Sequence, residues 1–480
     1  METNKPLVCV IGAGPTGLVC LKYLREIADL KCYELKSEIG GLWVYKDTTD
    51  DDHKEDDKFY ELYGTVHESI YKDLTTIIPI HFFAFKDFPP KKKERTHFTH
   101  EEVLEYLQDY SANFDLERFI EFETQVIEVT KTTDGPKDWT VKIKNNGETK
   151  EEHFDYVIVC NGHNSVPYFP TEGVEGLDQF KGKILHAHNF RKPDTEDFVD
   201  KNVLLVGLKY SGMDILYQLL ESNNIRAIIN GEEPNYTIDE SGIGAKKIIL
   251  SASTAHDLSQ SDDFKKYADK GIIVPKSGSK LEFTEDGVIF EDGSEEKIDT
   301  ILFSTGYKFS FPFIKDPSLV EYECDGRYFG PLYQRIFSIN HPSLIFVGQP
   351  DSNAFNQILM ERQVMFMKSF IEGNLTLPSK EEMMEHLEKD KKHVEENYGL
   401  RNFYKAPFQY TSGYIKELKE ILKSQDIEPN EDNKEHLKTL FKMLPIFKET
   451  LTSHNFITFQ RYDYKSLIPE DHKFDSSEYF

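Results

Sequence analysis

A chain of 480 residues with 84 acidic against 57 basic side chains carries a formal charge of −27, which disfavours nucleic acid and anionic membrane as partners. The length suggests about two to four domains. The 5 cysteines show neither a C-x-x-C pair nor metal spacing, no run approaches the ~18 apolar residues of a transmembrane segment, and the first residues lack a signal pattern, so a soluble, reduced, cytoplasmic protein is expected.

Residues 8–11 are an apolar run with the character of a buried parallel strand. Gly12, Gly14 and Gly17 follow at the G-x-G-x-x-G spacing. Gly12 lets the strand turn sharply, Gly14 lets a pyrophosphate approach the backbone, and Gly17 lets the next helix pack close. That helix, predicted over 15–28 and opening on Pro15, aims its free N–H groups and positive dipole end at the pyrophosphate. A second strand over 31–34 ends in Glu34, an acid about 20 residues past the glycines that can accept from both ribose hydroxyls. Acid rather than base there argues against a 2′-phosphate, so FAD or NAD fits this unit and NADP does not.

Next comes the stretch SEIGGLW. Gly40 and Gly41 let backbone approach a ligand, and Trp43, after Leu42, can cover a ring system; a plain loop with a buried Trp fits the same pattern. Residues 46–58 form an acidic, solvated loop. An aromatic-rich segment broken by Pro79, Pro89 and Pro90 follows, then a lysine run at 91–93 that reads as a solvated turn. Residues 101–111 are an amphipathic helix with Val103, Leu104 and Leu107 on one face. Residues 119–129 and 139–143 alternate like strands about a turn at 133–137. Residues 154–163 are a buried strand that ends at a glycine.

After Pro167 and Pro170 the chain starts again. A strand at 203–206, a turn holding Gly207, Lys209, Ser211 and Gly212, and a helix repeat the opening architecture. This implies a second dinucleotide unit inserted into the first. A polar segment at 231–247, a strand at 248–250, a hairpin-like pair near 286–293 and a strand at 299–307 follow. The expected helices at 356–371 and 379–397 are stopped by Gly373 and started by a Ser379/Glu382 capping box, respectively. The tail from 421 shows helical spacing at Leu437, Leu440, Phe441 and Leu444 and then turns irregular.

Over residues 8–373 the chain resembles the flavin-containing monooxygenases, which are class B flavoprotein monooxygenases. GAGPTG with Glu34 is similar to the family's FAD fingerprint, EIGGLW to its flavin-side loop, and SIYKDL with FKDFP to the segment before the isoalloxazine. Phe180, Gly182, His186 and Phe190 fit the signature F-x-G-x-x-x-H-x-x-x-F/Y. FSTGY is similar to F-A-T-G-Y, and Glu361-Arg362-Gln363 to the family's E-x-Q helix. The resemblance implies an α/β fold with two Rossmann-like dinucleotide-binding domains, the smaller NADP domain inserted in the FAD domain. The expected boundaries are 1–168 and 299–375 for the FAD-binding domain, 169–298 for the inserted domain and 376–480 for a C-terminal helical extension. It implies FAD and NADP as cofactors, with O2 and a small-molecule amine or sulfide as substrates. In that chemistry NADPH reduces the flavin, dioxygen forms a C4a-hydroperoxide, and its distal oxygen passes to the soft nucleophile. The flavin carries the hard step, so His186 and His188 are read as structural residues at the domain junction. A homodimer or a protein partner stays open.

Three positions depart from the family pattern. Lys209 stands at the middle glycine of the second turn, where its side chain crowds a pyrophosphate or its ammonium contacts it. Ser253 stands near the position of the arginine that grips the 2′-phosphate, a contact worth on the order of 1.5–3 kcal/mol; Lys246 and Lys247 are the candidate substitutes. Ile77 stands at the family's active-site Asn and cannot hydrogen-bond through its side chain. A weakened enzyme with a structural or partner-binding role, or an NADPH oxidase, is therefore the alternative to a working monooxygenase.

Overall fold

The computed structural model describes residues 5–47, 68–91, 97–132, 136–170, 172–230, 232, 244–261, 264–278, 280–351, 356–405 and 408–427. Most of the acidic loop at 46–58, Lys92 and Lys93, the turn at 133–135, most of the polar segment at 231–247 and the helical spacing at 437–444 lie outside the described residues.

The chain opens with β1 (Leu7–Ile11), α1 (Pro15–Leu24) and β2 (Asp29–Tyr33). Helix α1 is shorter than expected because residues 25–28 turn to bring the chain back, with the Asp29 N–H donating to the Pro6 carbonyl. Helix α2 (His100–Phe114) begins at a Thr99/Glu102 capping box that the sequence reading did not note. The strands β3 (Ile120–Glu121), β4 (Thr124–Lys131), β5 (Trp139–Asn145), β6 (Glu148–Phe154) and β7 (Tyr156–Val159) follow. Strands β4 to β6 form their own antiparallel sheet, and β7 returns to pair parallel with β1.

The second unit is built from β8 (Lys183–His186), β9 (Asn202–Val206), α3 (Tyr210–Ile229, kinked at Glu221), β10 (Lys247–Ser251), β11 (Ile273–Lys276) and β12 (Thr300–Phe303). These strands form a parallel sheet in the order β8-β12-β9-β10-β11. Alternate residues of β9 enter opposite cores: Val203 and Leu205 on one face, Leu204 and Val206 on the other. A parallel sheet covered on both faces needs such an unbroken apolar run. The antiparallel strands Leu281–Phe283, Gly287–Phe290 and Glu295–Lys297 form the hairpin pair expected near 286–293. Strand β12, expected at the start of the returning first unit, lies inside the second sheet between β8 and β9.

The return comes later, with β13 (Leu332–Tyr333), β14 (Phe337–Ser338) and β15 (Leu344–Phe346). Strand β15 pairs parallel with β7, giving the first sheet the order β13-β14-β15-β7-β1-β2-β3. Helix α4 (Asn356–Ile371) and helix α5 (Lys380–Tyr398), with its Ser379/Glu382 capping box, start and stop close to where the sequence places them. Helix α6 (Phe408–Ser424) lies within the stretch expected to be a helical extension, though the sequence reading gave it no bounds of its own; Tyr414, Ile415, Leu418 and Leu422 give it a buried stripe.

Helices α5 and α6 clasp the β13–β14 hairpin. Its tip residues Gln334 and Arg335 have φ of 50° and 52°, values that favour Gly or Asn in a tight hairpin. Arg335 is buried, with its guanidinium 2.6 Å from the Asp390 carboxylate and 4.3–5.0 Å from the rings of Phe403, Tyr410 and Tyr414. Gln334 donates to Glu417 at 2.8 Å, and His386 lies 2.7 Å from the same oxygen. No helix among the described residues is long and apolar enough to cross a membrane.

Candidate functional site

The two glycine turns have the same geometry at the carboxyl ends of β1 and β9. Gly12 has φ 101°, and a Cβ there would lie 2.8 Å from the Cys160 carbonyl oxygen. Gly207 has φ 92°, and a Cβ there would lie 2.7 Å from the Ser304 carbonyl oxygen. A Cβ on Gly17 would meet the Gly12 carbonyl at 2.0 Å, and one on Gly212 would meet the Gly207 carbonyl at 2.1 Å. Only glycine permits either helix to seat so closely on its strand.

Gly14 caps α1 without a side-chain hydrogen bond, with Pro15 opening the helix. The first N–H groups of the helix therefore keep no intrahelical acceptor. The stretch of Gly40, Gly41, Leu42 and Trp43 lies over this turn. Gly40 donates to the Ala13 carbonyl at 3.2 Å, and a Cβ on Gly14 would stand 3.5 Å from the Gly41 Cα. Trp43 packs edge-on against Phe83, with centroids 5.2 Å apart.

Glu34 follows β2 and is buried. It accepts from the Ala13 N–H at 2.6 Å and the Lys36 N–H at 2.9 Å. Burial pushes its carboxyl above the usual range despite those two donors. The Lys36 ammonium donates to the Gly41 carbonyl at 3.1 Å and pairs with Glu68, which fastens the glycine stretch to the end of β2.

In the second turn Lys209 and Ser211 are exposed, and so is Ser253 beyond β10. Lys247 lies at the other end of β10 from Ser253 and pairs with Glu296 at 2.6 Å; Lys246 precedes it, with its N–H bonded to the Lys201 carbonyl. Ligands of open parallel sheets sit at the carboxyl ends of the strands, so neither lysine can stand in for the family arginine.

The segment before residue 80 ties the units together. Ile77 is half-buried against the first core. Its neighbour Thr76 exchanges two hydrogen bonds with Phe98, N–H to carbonyl at 2.8 Å and N–H to hydroxyl at 3.1 Å. Arg191, which the sequence reading missed, is buried. Its guanidinium donates to the carbonyls of Ile70 (2.7 Å), Glu68 (2.9 Å), Phe190 (3.0 Å) and His188 (3.1 Å). Burial lowers its pKa to about 10. The one available signal was its place directly after Phe190, at the end of the family signature. His186 and His188 are buried, with their rings 5.3 and 5.7 Å from that of Tyr307. Burial lowers His186 to about 4, which leaves it neutral at physiological pH.

Glu361 and Gln363 of α4 each hold a different loop. Gln363 accepts from the Gly348 N–H and donates to the Tyr414 hydroxyl, both at 3.0 Å. Glu361 accepts from the Tyr23 hydroxyl at 3.1 Å and the Lys86 N–H at 3.2 Å. Burial raises its pKa from 4.5 to about 7. A carboxyl raised on folding favours the native state while protonated, and that contribution is lost as pH climbs from 4.5 through 7. Glu361→Gln removes this ionisation. The Tm difference, variant minus wild type, is therefore expected to rise between pH 5 and pH 8 by the equivalent of roughly 2 kcal/mol. Scanning calorimetry at the two pH values checks it, and a flat difference would contradict it.

Comparison with known proteins follows the same lines. The model of the family described as flavin-binding monooxygenase-like matches residues 5–240 and 248–433. Flavin-containing monooxygenase FMO GS-OX5 of Arabidopsis thaliana is 33% identical over 428 residues, which cover 85% of this chain and 82% of that protein. FMO GS-OX-like 8 of the same plant is 34% identical, covering 81% of this chain and 79% of that protein. The solved S-allyl-L-cysteine S-oxygenase of Allium sativum superposes with a TM-score of 0.72 at 28% identity, over 96% of this chain and 99% of that one. With these matches spanning both glycine turns and most of the chain, the protein belongs to the flavin-binding monooxygenase family.

Proposed function

We propose that this chain is an FAD- and NADPH-dependent monooxygenase that passes one oxygen atom of O2 to a soft nucleophile, with sulfur favoured over nitrogen. The observation that carries the reading is the pair of glycine turns at the carboxyl ends of β1 and β9, alike at their first and last glycines, with Gly14 leaving the N-terminus of α1 bare and Lys209 standing at the same place before α3. The residues fit FAD at the first turn: a methyl group on Gly14 would fill the gap beneath Gly41, and Glu34 is buried beside that gap. Gly12, Gly14, Pro15 and Gly17 take the pyrophosphate, Glu34 the ribose, and Gly40, Gly41, Leu42 and Trp43 flank the flavin. Gly207, Lys209, Ser211 and Gly212 take the nicotinamide cofactor, and the domain around them is the inserted one. The bound flavin supplies electron storage and oxygen transfer. The chain's own part is to fix the two cofactors against each other, which Arg191 does by locking residues 68–70 onto the second unit. Sulfur is favoured because the solved relative named above is an S-oxygenase.

Anaerobic titration with NADPH tests the reading: the flavin absorbance near 450 nm should bleach, and an unchanged spectrum would overturn it. Ile77 favours one further feature, a partial NADPH oxidase activity, because no side-chain hydrogen bond is available there to steady the oxygenated site. Replacing Ile77 with Asn is expected to lower the hydrogen peroxide released per NADPH consumed by on the order of threefold or more, the worth of one hydrogen bond. A peroxide electrode against NADPH absorbance measures the ratio, and no change would remove position 77 from the chemistry.

A further inference from the structure

The C-terminal extension reaches the carboxyl end of β15 at Lys405, beside the crevice that open parallel sheets form there. This residue lies just past the turn Leu400–Asn402, and its neighbour Tyr404 is firmly placed. The Tyr404 ring stacks on Phe329 with centroids 4.7 Å apart, and its hydroxyl donates to the Phe329 carbonyl at 2.8 Å. The Tyr404 carbonyl accepts from the Asp351 N–H at 2.7 Å. Asp351 belongs to the loop after Gly348, at the carboxyl end of β15, and Asn356 donates to its carboxylate at 3.0 Å. His163 stands beyond the carboxyl end of the neighbouring β7, its ring 5.9 Å from Phe309. Lys209 is the middle residue of the second glycine turn. These groups share the edge of the sheets where ligands of parallel folds bind.

Lys405 is half-buried, and neither its ammonium nor that of Lys209 has a hydrogen bond or ion pair among the described residues. Burial, helped by the charge of Lys209, pushes Lys405 below its ordinary pKa against the pull of Asp351. Burial first, and then the charge of Lys405, lower His163 to about 4. The crevice thus holds a local excess of positive charge on a protein whose formal charge is −27. Asp351 offsets only one of the two ammonium charges, and a ligand that supplies a second anion offsets the other.

We propose that Lys405, assisted by Lys209, recognises an anionic oxygen group brought into the crevice. That group is either the acid function of the molecule to be oxygenated or a phosphate of the nicotinamide cofactor. The substrate arm rests on the monooxygenase reading given above; the cofactor arm does not.

The test compares the wild-type holoenzyme with Lys405→Met and Lys405→Arg. Its probes are NADP+, titrated at equilibrium by calorimetry, and the sulfide pair (methylthio)acetate and its neutral amide. Lys405→Met is expected either to raise the Kd for NADP+ or to lower the acid-to-amide ratio of kcat/KM. Either change should be roughly tenfold, as for loss of one charge-assisted contact, and Lys405→Arg should recover most of it. A change in Kd identifies a cofactor phosphate, and a change in the ratio identifies a substrate acid. The proposal falls if neither quantity moves in Lys405→Met. It also falls if both variants lose flavin and fold together, which would mark the residue as structural. A wild-type enzyme that oxidises neither sulfide defeats the oxygenase reading, while the NADP+ titration still decides Lys405.

Discussion

Gly14→Ala should fold normally and purify colourless. The backbone at Gly14, with φ −74°, is one that any residue adopts. The added methyl group would lie 3.5 Å from the Gly41 Cα and 3.9 Å from its nitrogen, which is ordinary contact. The cost falls on the ligand, because the methyl occupies the gap through which a pyrophosphate would reach the first N–H groups of α1. Overpacking of this kind costs about 1–3 kcal/mol, and more when the intruding group also separates a phosphate from its donors. Gly17→Ala provides the contrast. Its Cβ would lie 2.0 Å from the Gly12 carbonyl oxygen, so α1 must move off β1 and the variant should be poorly soluble. The ratio of absorbance at 450 nm to that at 280 nm, read beside Tm, separates the two outcomes. Gly14→Ala retaining its full complement of flavin at wild-type Tm would contradict this placement of the cofactor.

Arg335→Met is expected to be the most destabilising single change outside the glycine turns. Removing the guanidinium leaves the Asp390 carboxylate, 17% exposed and formerly 2.6 Å from its partner, without a counter-charge. Breaking one side of such a pair costs about 3–5 kcal/mol. The three aromatic rings around Arg335 also lose the cation they enclose. The hairpin tip adds to the effect, since two consecutive left-handed residues without glycine persist only while their surroundings hold them. Combining Arg335→Met with Asp390→Leu should recover a large part of the loss, because the orphaned charge is then gone. Urea denaturation of the single and double variants checks this. Equal Cm values for Arg335→Met and wild type would show that the Arg335–Asp390 pair adds nothing net to the docking of α5 and α6.

The two glycine turns were legible in the sequence because their demands are local. A sharp turn and close helix-strand packing each need glycine at one fixed offset, met in both turns, while the bare helix start has its glycine only at Gly14, with Lys209 in its place in the second turn. Helices α4 and α5 were legible for the same reason, through a capping box and a terminating glycine. Strand β12 was misplaced because a short buried apolar run reads alike in either of two parallel sheets; its partners β8 and β9 lie about a hundred residues earlier, and periodicity does not name them. The bounds of helix α6 escaped because its stripe of Tyr414, Ile415, Leu418 and Leu422 makes sense only against the hairpin and α4. Arg191 and Lys405 were out of reach altogether. Arg191 binds the carbonyl of Ile70, 121 positions away, and Lys405 acts through a loop that begins at Gly348. The geometry also removes one suggestion: the ion pair of Lys247 with Glu296 keeps it from the 2′-phosphate position.

The interleaving of the sheets has a consequence for biogenesis. Strand β7 gains its second parallel neighbour only from β15 at Leu344–Phe346, whereas the nested sheet has all of its strands once Phe303 has emerged. On the ribosome the guest module can therefore close while its host still lacks an edge. Translation at about 5–20 residues per second leaves a window of a few seconds in which the nucleotide pocket of the host is half-walled. Prosthetic-group loading belongs after that window, and cells short of riboflavin should accumulate nascent or released chains in which the guest resists protease and the host does not.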